Sequence, residues 1–197
     1  MSMIWIPEME RDTNRGSSVV NLYSHHLKNR KMFLTGEIKA ITAEHLMLQL
    51  MHLEEEDPGK PIDLYINSPG GEVQSGLMLY DVIQGMVSPV NMYCVGQAAS
   101  MAAIILAGGI KGRRYILPHA KTMVHEPLIS QGVGGSATSI KNIADSIMEM
   151  RKLLYEILEK HTGRTVEEIE KTIRGDFFMN AKESVEFGIC DEIVSSI

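Results

Sequence analysis

Hydrophobic and polar positions along the chain follow two periods in turn, a short one typical of strands and a longer one typical of helices. The predicted strands are short apolar runs bounded by glycine, proline or polar turn residues, and they cover 31–34, 62–66, 90–95, 113–117, 121–124 and 189–194. The predicted helices carry apolar residues three and four positions apart, begin near Thr42 and near Val73, and cover 98–107, 137–160, 165–174 and 180–188. This alternation predicts an α/β fold of βαβ units around a mostly parallel sheet.

Two segments differ from this pattern. The first twenty residues show no sustained period, so we expect a mobile arm with a turn at 12–16. The helix at 137–160 is longer than an average helix and carries an apolar face from Ile140 to Leu158. A small domain offers little surface to cover such a face, and packing against another subunit is one way to bury it.

Composition favours a single globular domain over residues 1–197 and disfavours two classes of partner. The formal net charge of −6 argues against nucleic acid. The longest apolar stretch, 98–110, is interrupted by Ser100 and two glycines and falls short of the ~20 residues that a bilayer span needs.

The first ten residues lack the basic start and apolar run of a secretory signal. The basic cluster of Lys111, Arg113 and Arg114 is interpreted as a solvated loop.

Neither the cysteines nor the paired histidines predict a site. Cys94 and Cys190 lie in or near apolar strands and have no neighbouring base, so we expect buried free thiols in a reducing compartment. His25 and His26 are adjacent and cannot share one helix face, which favours a solvated pair over a metal site.

Three segments together offer the parts of a serine nucleophile site. A glycine turn, Gly70-Gly71, directly follows one strand and can expose backbone N–H groups. Ser100 stands at the start of an apolar helix, and His125 follows another strand. Sites in parallel sheets collect at such strand ends, and a serine needs a base to take its proton. Taken alone, Ser100 also fits a polar helix start, and His125 a hydrogen-bonded loop histidine.

Ordered motifs across nearly the whole chain resemble the proteolytic subunit of the Clp protease. They are Thr13-Asn14-Arg15-Gly16, Ser68-Pro69-Gly70-Gly71, the segment Gly96-Gln97-Ala98-Ala99-Ser100-Met101-Ala102, Met123-Val124-His125-Glu126-Pro127, His161-Thr162-Gly163 and Asp176-Phe177-Phe178-Met179-Asn180-Ala181. The resemblance implies the crotonase-like α/β fold of that subunit, with a long protruding helix called the handle. It also implies a serine endopeptidase without cofactor or metal.

The resemblance assigns a role to five positions. The family's nucleophile falls on Ser100, its base on His125 and its orienting acid on Asp176. The positions whose N–H groups form the oxyanion hole fall on Gly71 and Met101. The sequence alone could not have selected Asp176 among 25 acidic residues.

The resemblance also implies an assembly and partners. Members form two stacked heptameric rings, a homo-oligomeric tetradecamer, around enclosed active sites. Residues 128–160 match the handle region that interlocks the rings, and residues 1–20 match the N-terminal axial loop at the pores. AAA+ unfoldase ATPases feed unfolded proteins into the chamber, where they are cut to short peptides. We therefore expect a cytoplasmic subunit of ATP-dependent protein quality control, with no nucleic-acid or membrane partner.

Some positions depart from the family pattern. Gly175 replaces an arginine that couples ring assembly to active-site order, and Arg174 lies one residue earlier. Asp63 and Gly85 replace aromatic residues of the ATPase docking pocket. The stretch 131–136 is richer in glycine and longer than usual. These departures indicate a divergent paralogue, which raises the alternative of a poorly active structural subunit in a mixed ring. An acyl-CoA enzyme of the same fold is the remaining alternative, and it is disfavoured because that class lacks a serine nucleophile at this helix start.

Overall fold

A computed structural model describes residues 7–13, 16–129, 132, 134–173 and 175–197, with the backbone alone for 11–13 and 16–18. The strands are β1 Glu8–Thr13, β2 Gly16–Asn21, β3 Lys31–Thr35, β4 Ile62–Ser68, β5 Val90–Ala99, β6 Arg114–Ile116, β7 Lys121–Val124, β8 Phe177–Asn180 and β9 Glu192–Ile193. The helices are α1 Leu22–Lys28, α2 Ala40–Glu56, α3 Val73–Gly85, α4 Met101–Ala107, α5 Ala137–Thr162, α6 Val166–Thr172 and α7 Ala181–Phe187.

Seven strands form one mixed sheet in which parallel pairing dominates. Strands β3, β4, β5, β6 and β9 lie side by side in that order, all parallel. Strand β7 pairs with β5 in parallel and with β8 in antiparallel fashion. The predicted α/β fold with a mostly parallel sheet is thus confirmed.

The hydrophobic core lies between this sheet and its helices. Helix α2 buries Leu46, Leu50 and Leu53, which are spaced so that they lie on one face of the helix. Helix α4 is buried along its whole length, which explains why the 98–110 stretch is so apolar. Within the described part of the chain, no helix combines the length and the hydropathy needed to span a membrane.

The described residues near the N-terminus form regular structure that the sequence pattern does not predict. Strands β1 and β2 form an antiparallel hairpin in register from Glu8↔Asn21 to Thr13↔Gly16. Asn21 then caps α1, because its side chain accepts a hydrogen bond from the Ser24 N–H at 2.8 Å. The sequence pattern predicted neither this hairpin nor α1. Residues 14 and 15 of the predicted turn lie outside the described residues.

Several boundaries also move. Lys39 is the residue before α2, and Thr42 accepts the Lys39 N–H from inside the first turn at 2.8 Å. Strand β5 runs on to Ala99, so α4 begins at Met101 instead of residue 98. The last strand, β9, has two residues instead of six.

The basic cluster is not a solvated loop throughout. Arg114 is 2% exposed and donates hydrogen bonds to both carboxylate oxygens of Asp191, at 2.9 and 2.5 Å. Burial alone would raise the pKa of Asp191, but its contacts with Arg114 and two backbone N–H groups outweigh burial and lower it. This ion pair fastens β6 to the C-terminal segment.

Helix α5 is buried at its C-terminal end and exposed at its start. Leu154 and Leu158 pack into the core, whereas Ile140 and Ile143 are 45% and 38% exposed. The predicted apolar face is therefore covered within the chain along only part of its length. Of the glycine-rich stretch 131–136, residues 131 and 133 lie outside the described residues.

Candidate active site

The register of three strands brings the three predicted side chains to one end of the sheet. Strand β5 pairs with β7 up to Ala99↔Met123, so Ser100 and His125 both follow this last pair. Strand β7 pairs with β8 up to Val124↔Phe177, so the residue before β8, Asp176, lies beside His125. Because β8 runs antiparallel to β7, its first residue lies where β5 and β7 end.

The three side chains lie within hydrogen-bonding distance in sequence. His125 Nε2 lies 2.8 Å from Ser100 Oγ, and His125 Nδ1 lies 3.2 Å from Asp176 Oδ1. The His125 side chain is 16% exposed and the Asp176 side chain 59%. An imidazole held between a hydroxyl and a carboxylate can take the hydroxyl proton while the carboxylate stabilises the resulting imidazolium.

Ser100 stands on a strained turn between β5 and α4. Its φ of 55° and ψ of −125° lie outside the regions that residues with a side chain prefer. The Ser100 N–H donates to the Met123 carbonyl at 2.8 Å, which holds the turn against β7. Such backbone strain costs of order 1–3 kcal/mol and persists only where the surrounding structure enforces it. Here it directs Oγ at the imidazole.

The glycine turn after β4 is fixed on both sides. The Gly70 N–H donates to Ser68 Oγ at 3.1 Å, and the Gly70 carbonyl accepts the Ile38 N–H at 2.8 Å. The Ile38 carbonyl in turn accepts the Glu72 N–H at 2.9 Å. None of these hydrogen bonds uses the N–H of Gly71, and the described residues provide no backbone acceptor for it.

Only glycine fits at position 70. Its φ is +89°, and an added Cβ would lie 2.5 Å from the Ala99 carbonyl oxygen and 2.7 Å from Ser100 Cβ. The glycine turn and the Ser100 turn are therefore in direct contact. Met101, the first residue of α4, has an N–H without an acceptor inside its own helix. The N–H groups of Gly71 and Met101 thus belong to the two backbone turns that meet at Ser100.

A pocket of about 380 Å³ opens beside Ser100. Ser100, Gly71, Met101 and His125 form part of its wall. Apolar side chains form much of the remainder: Val73, Ile104, Val124, Leu154 and Leu158. The arrangement can accommodate an apolar side chain while a neighbouring carbonyl meets the hydroxyl.

Other chemistries find less support. Both cysteines are free and buried, as predicted, and burial raises the pKa of Cys94 to about 12 and also raises the pKa of Cys190. Neither thiol would ionise near neutral pH, which disfavours a cysteine nucleophile. Among the described residues, no three His, Cys, Asp or Glu side chains come together as metal ligands.

The structure shows the surroundings of three positions that depart from the resembled pattern: Asp63, Gly85 and Gly175. Asp63 Oδ1 accepts a hydrogen bond from Asn91 Nδ2 at 2.8 Å. Nearby, the rings of Tyr65 and Tyr93 stack with their centroids 5.1 Å apart. Gly85 ends α3 with open space around it. Gly175 is exposed with φ +91°, and Arg174 lies outside the described residues.

Sequence reasoning missed the residues that hold this site in place. Ile38 clamps the glycine turn through an isolated bridge, and the Met123 carbonyl fixes the Ser100 turn. Both act through backbone groups, which every residue carries, so no residue type signals them. Glu126 and Arg151 form an ion pair next to His125. The one sequence signal for this pair is that Glu126, an acidic residue, directly follows the candidate base.

Comparison with models of protein families gives a match to the family described as Clp protease over residues 14–196. The match spans all but the first thirteen residues and the last one, and it includes every segment of the site.

Proposed function

The chain belongs to the Clp protease family and is a Clp-type peptidase, and from that premise we propose that it is a serine endopeptidase. Ser100 is the nucleophile, His125 its general base and Asp176 the acid that orients the imidazole. The observation that carries the proposal is the 2.8 Å contact between His125 Nε2 and Ser100 Oγ on a strained turn.

The reaction follows from these contacts. His125 takes the hydroxyl proton as Oγ attacks a peptide carbonyl, and the N–H groups of Gly71 and Met101 stabilise the oxyanion that forms. His125 then gives the proton to the leaving amine, and water releases the acyl group by the same steps in reverse order. The apolar pocket beside Ser100 would bind a side chain next to the cleaved bond, and unfolded polypeptides expose such side chains.

The assembly is also part of the proposal. The chain is one peptidase domain, with residues 1–20 as an axial loop and about 128–160 as a handle region between two heptameric rings. The exposed Ile140, Ile143, Met148 and Leu153 on α5 support a partner subunit on that helix. An AAA+ unfoldase would deliver unfolded substrates in a cytoplasmic, ATP-dependent pathway.

Hydrolysis of a fluorogenic peptide tests the catalytic part. Ser100→Ala should abolish cleavage while the sedimentation of the oligomer stays unchanged, because loss of the nucleophile generally costs several orders of magnitude in rate. Ser139→Ala, a serine at the start of α5, is the matched control and should cleave normally. Wild-type rates from Ser100→Ala would reject Ser100 as the nucleophile.

A second candidate function is that of a weakly active subunit in a mixed ring. Exposed Gly175 precedes Asp176, whose side chain is 59% exposed, so position 175 provides no side chain that could cover the orienting acid. The isolated chain should then form heptamers but cleave slowly, and Gly175→Arg should raise its activity. Asp63→Tyr with Gly85→Phe should tighten docking of the ATPase by adding apolar anchors. A fully active tetradecamer of the isolated chain, unaffected by Gly175→Arg, would reject this candidate.

A further inference from the structure

The imidazole of His125 and the carboxylate of Asp176 are carried by segments with different support. His125 follows β7, which is paired on both sides, by β5 and by β8. Asp176 follows α6 through a short connection that contains Gly175 in a left-handed conformation, φ +91°. On its other side Asp176 directly precedes β8, which pairs with β7, so the distance from His125 Nδ1 to Asp176 Oδ1 depends on both the β7–β8 pairing and the position of α6.

One guanidinium links these two segments. Arg151 Nη1 lies 3.1 Å from Glu126 Oε1, in the residue next to His125. Arg151 Nη2 lies 3.1 Å from Glu170 Oε1, on the helix that precedes Asp176. A planar guanidinium with several fixed donors can hold two carboxylates at a set spacing, which the single ammonium of a lysine does less well. Arg151 is on α5, so three elements meet at this side chain.

Tyr155 reinforces the Glu126 end of this link. It lies one helical turn after Arg151, is 2% exposed, and donates its hydroxyl to Glu126 Oε1 at 3.4 Å. Burial and the neighbouring Glu126 raise the pKa of Tyr155 to about 12, so the phenol stays a donor. The same ring lines the pocket beside Ser100. The link is thus continuous with the wall of the site.

We propose that the Glu126–Arg151–Glu170 link is a positioning element that sets the geometry between His125 and Asp176. Arg151 does not touch the reacting atoms; it acts through Glu126 on the base and through Glu170 on the acid. The inference rests on the proposed serine mechanism. It gives the chain an internal means of ordering the three catalytic side chains where Gly175 provides no side chain.

The positioning role can be distinguished from a merely structural one by comparing the effect of removing Arg151 on stability with its effect on rate. The side chains of Arg151, Glu126 and Glu170 are 27%, 47% and 45% exposed, and such partly solvated pairs contribute little to stability. Removing Arg151 should therefore shift the melting temperature by no more than about 3 °C. A small displacement of a catalytic group, in contrast, lowers the rate strongly, so kcat should fall about tenfold. KM should stay within about twofold, because the pocket beside Ser100 keeps its lining.

The experiment measures kcat and KM for a fluorogenic peptide, and the rate of fluorophosphonate labelling, on the full-length assembled chain. The variants are Arg151→Met, Glu126→Leu and Glu126→Gln, with Lys152→Met as the matched control on the same helix. Arg151→Met and Glu126→Leu should each lower kcat and the labelling rate about tenfold. Glu126→Gln keeps an oxygen that accepts from Arg151 and should stay within about twofold of wild type, as should Lys152→Met.

The double variant Arg151→Met/Glu126→Leu decides whether the two residues act as one unit. It should be no slower than either single variant, since each already breaks the link. Wild-type kcat in Arg151→Met, additive losses in the double variant, or a loss in Glu126→Gln equal to that in Glu126→Leu would overturn the proposal. A wild-type chain that neither cleaves nor labels would instead overturn the proposed function.

Discussion

His125 and Asp176 lie one step beyond the Val124↔Phe177 pair of the antiparallel β7–β8 ladder, with Nδ1 3.2 Å from the carboxylate. The pairing of two short strands thus brings the acid to the base, although the two residues are 51 positions apart in the chain. The position of the acid depends on this register, because a slip by one residue would turn its side chain to the other face.

Asp176→Asn should lower kcat by at least about a hundredfold, because an amide cannot stabilise the imidazolium and can hold the ring in the unproductive tautomer. KM should change little, since Asp176 is not part of the lining of the apolar pocket. Steady-state peptide hydrolysis measures both constants. Asp81→Asn, on the exposed side of α3, is the control for loss of one carboxylate. Equal kcat values for the two variants would remove Asp176 from the mechanism.

Gly70→Ala should disrupt the site more than the backbone angle alone explains. Gly70 and Gly59 have nearly the same φ, +89° and +83°, but an added Cβ meets Ala99 and Ser100 at position 70 and nothing within 4 Å at position 59. Gly59→Ala therefore isolates the conformational cost, which is of order 1 kcal/mol. Thermal unfolding and peptide hydrolysis of the two variants should show a larger loss of both stability and activity for Gly70→Ala. Matching losses would show that the turns do not press on each other.

The strain at Ser100 predicts an unusual order of stabilities. Ser100→Gly relieves the cost of φ 55°, whereas Ser100→Ala retains it, and both remove the hydroxyl. The glycine variant should therefore be more stable than the alanine variant by about 1 kcal/mol, although glycine normally destabilises. Chemical denaturation of both variants measures the difference. An alanine variant at least as stable as the glycine variant would contradict the claim that the turn is strained.

His161 should make folding stability depend on pH. Its Nε2 lies 2.8 Å from the Tyr80 hydroxyl, and burial, followed by the charges of Lys160 and Arg114, lowers its pKa to about 4. The folded state thus favours the neutral ring, and its contribution is fully present above the ordinary value of 6.5. It is lost as the pH falls from 6.5 towards 4, because the unfolded chain binds the proton first.

The melting temperature of wild type should accordingly fall more steeply between pH 6.5 and 4 than that of His161→Gln. The control is His52→Gln, since the side chain of His52 is 55% exposed on α2. That variant should keep the wild-type slope. Identical slopes for wild type and His161→Gln would show that the half-buried His161 ring does not resist protonation.

Local patterns predicted the alternation of strands and helices because each element buries a face with its own period. The leucines of α2 illustrate this: Leu46, Leu50 and Leu53 are spaced for one face, and that face is buried. Where burial does not dominate, the pattern was silent. The β1–β2 hairpin is held by backbone pairing, and its described side chains are mostly exposed. The Ala98-Ala99 pair resembles a helix start, but both residues extend β5, because Ala98 pairs with β4 and β7 and Ala99 pairs with β7.

The candidate site likewise contains some residues that the sequence indicates and others that it does not. The glycine turn and the Ser100 and His125 segments carry recognisable residue types, so motifs point to them. Asp176 is one of 25 acidic residues, and only the family resemblance selected it. Arg114 shows the same limit: it was interpreted as solvated, yet it pairs with Asp191, which is 77 residues away in sequence. Partners distant in sequence become evident only once the strands are placed.

Labelling with a serine-directed fluorophosphonate, followed by peptide mapping by mass spectrometry, tests the central claim most directly. The claim is that Ser100 is a nucleophile activated by His125. The account predicts one adduct per chain, on Ser100, absent in Ser100→Ala and slowed at least about a hundredfold in His125→Ala. An adduct on another serine, or labelling of Ser100 at the wild-type rate in His125→Ala, would contradict it.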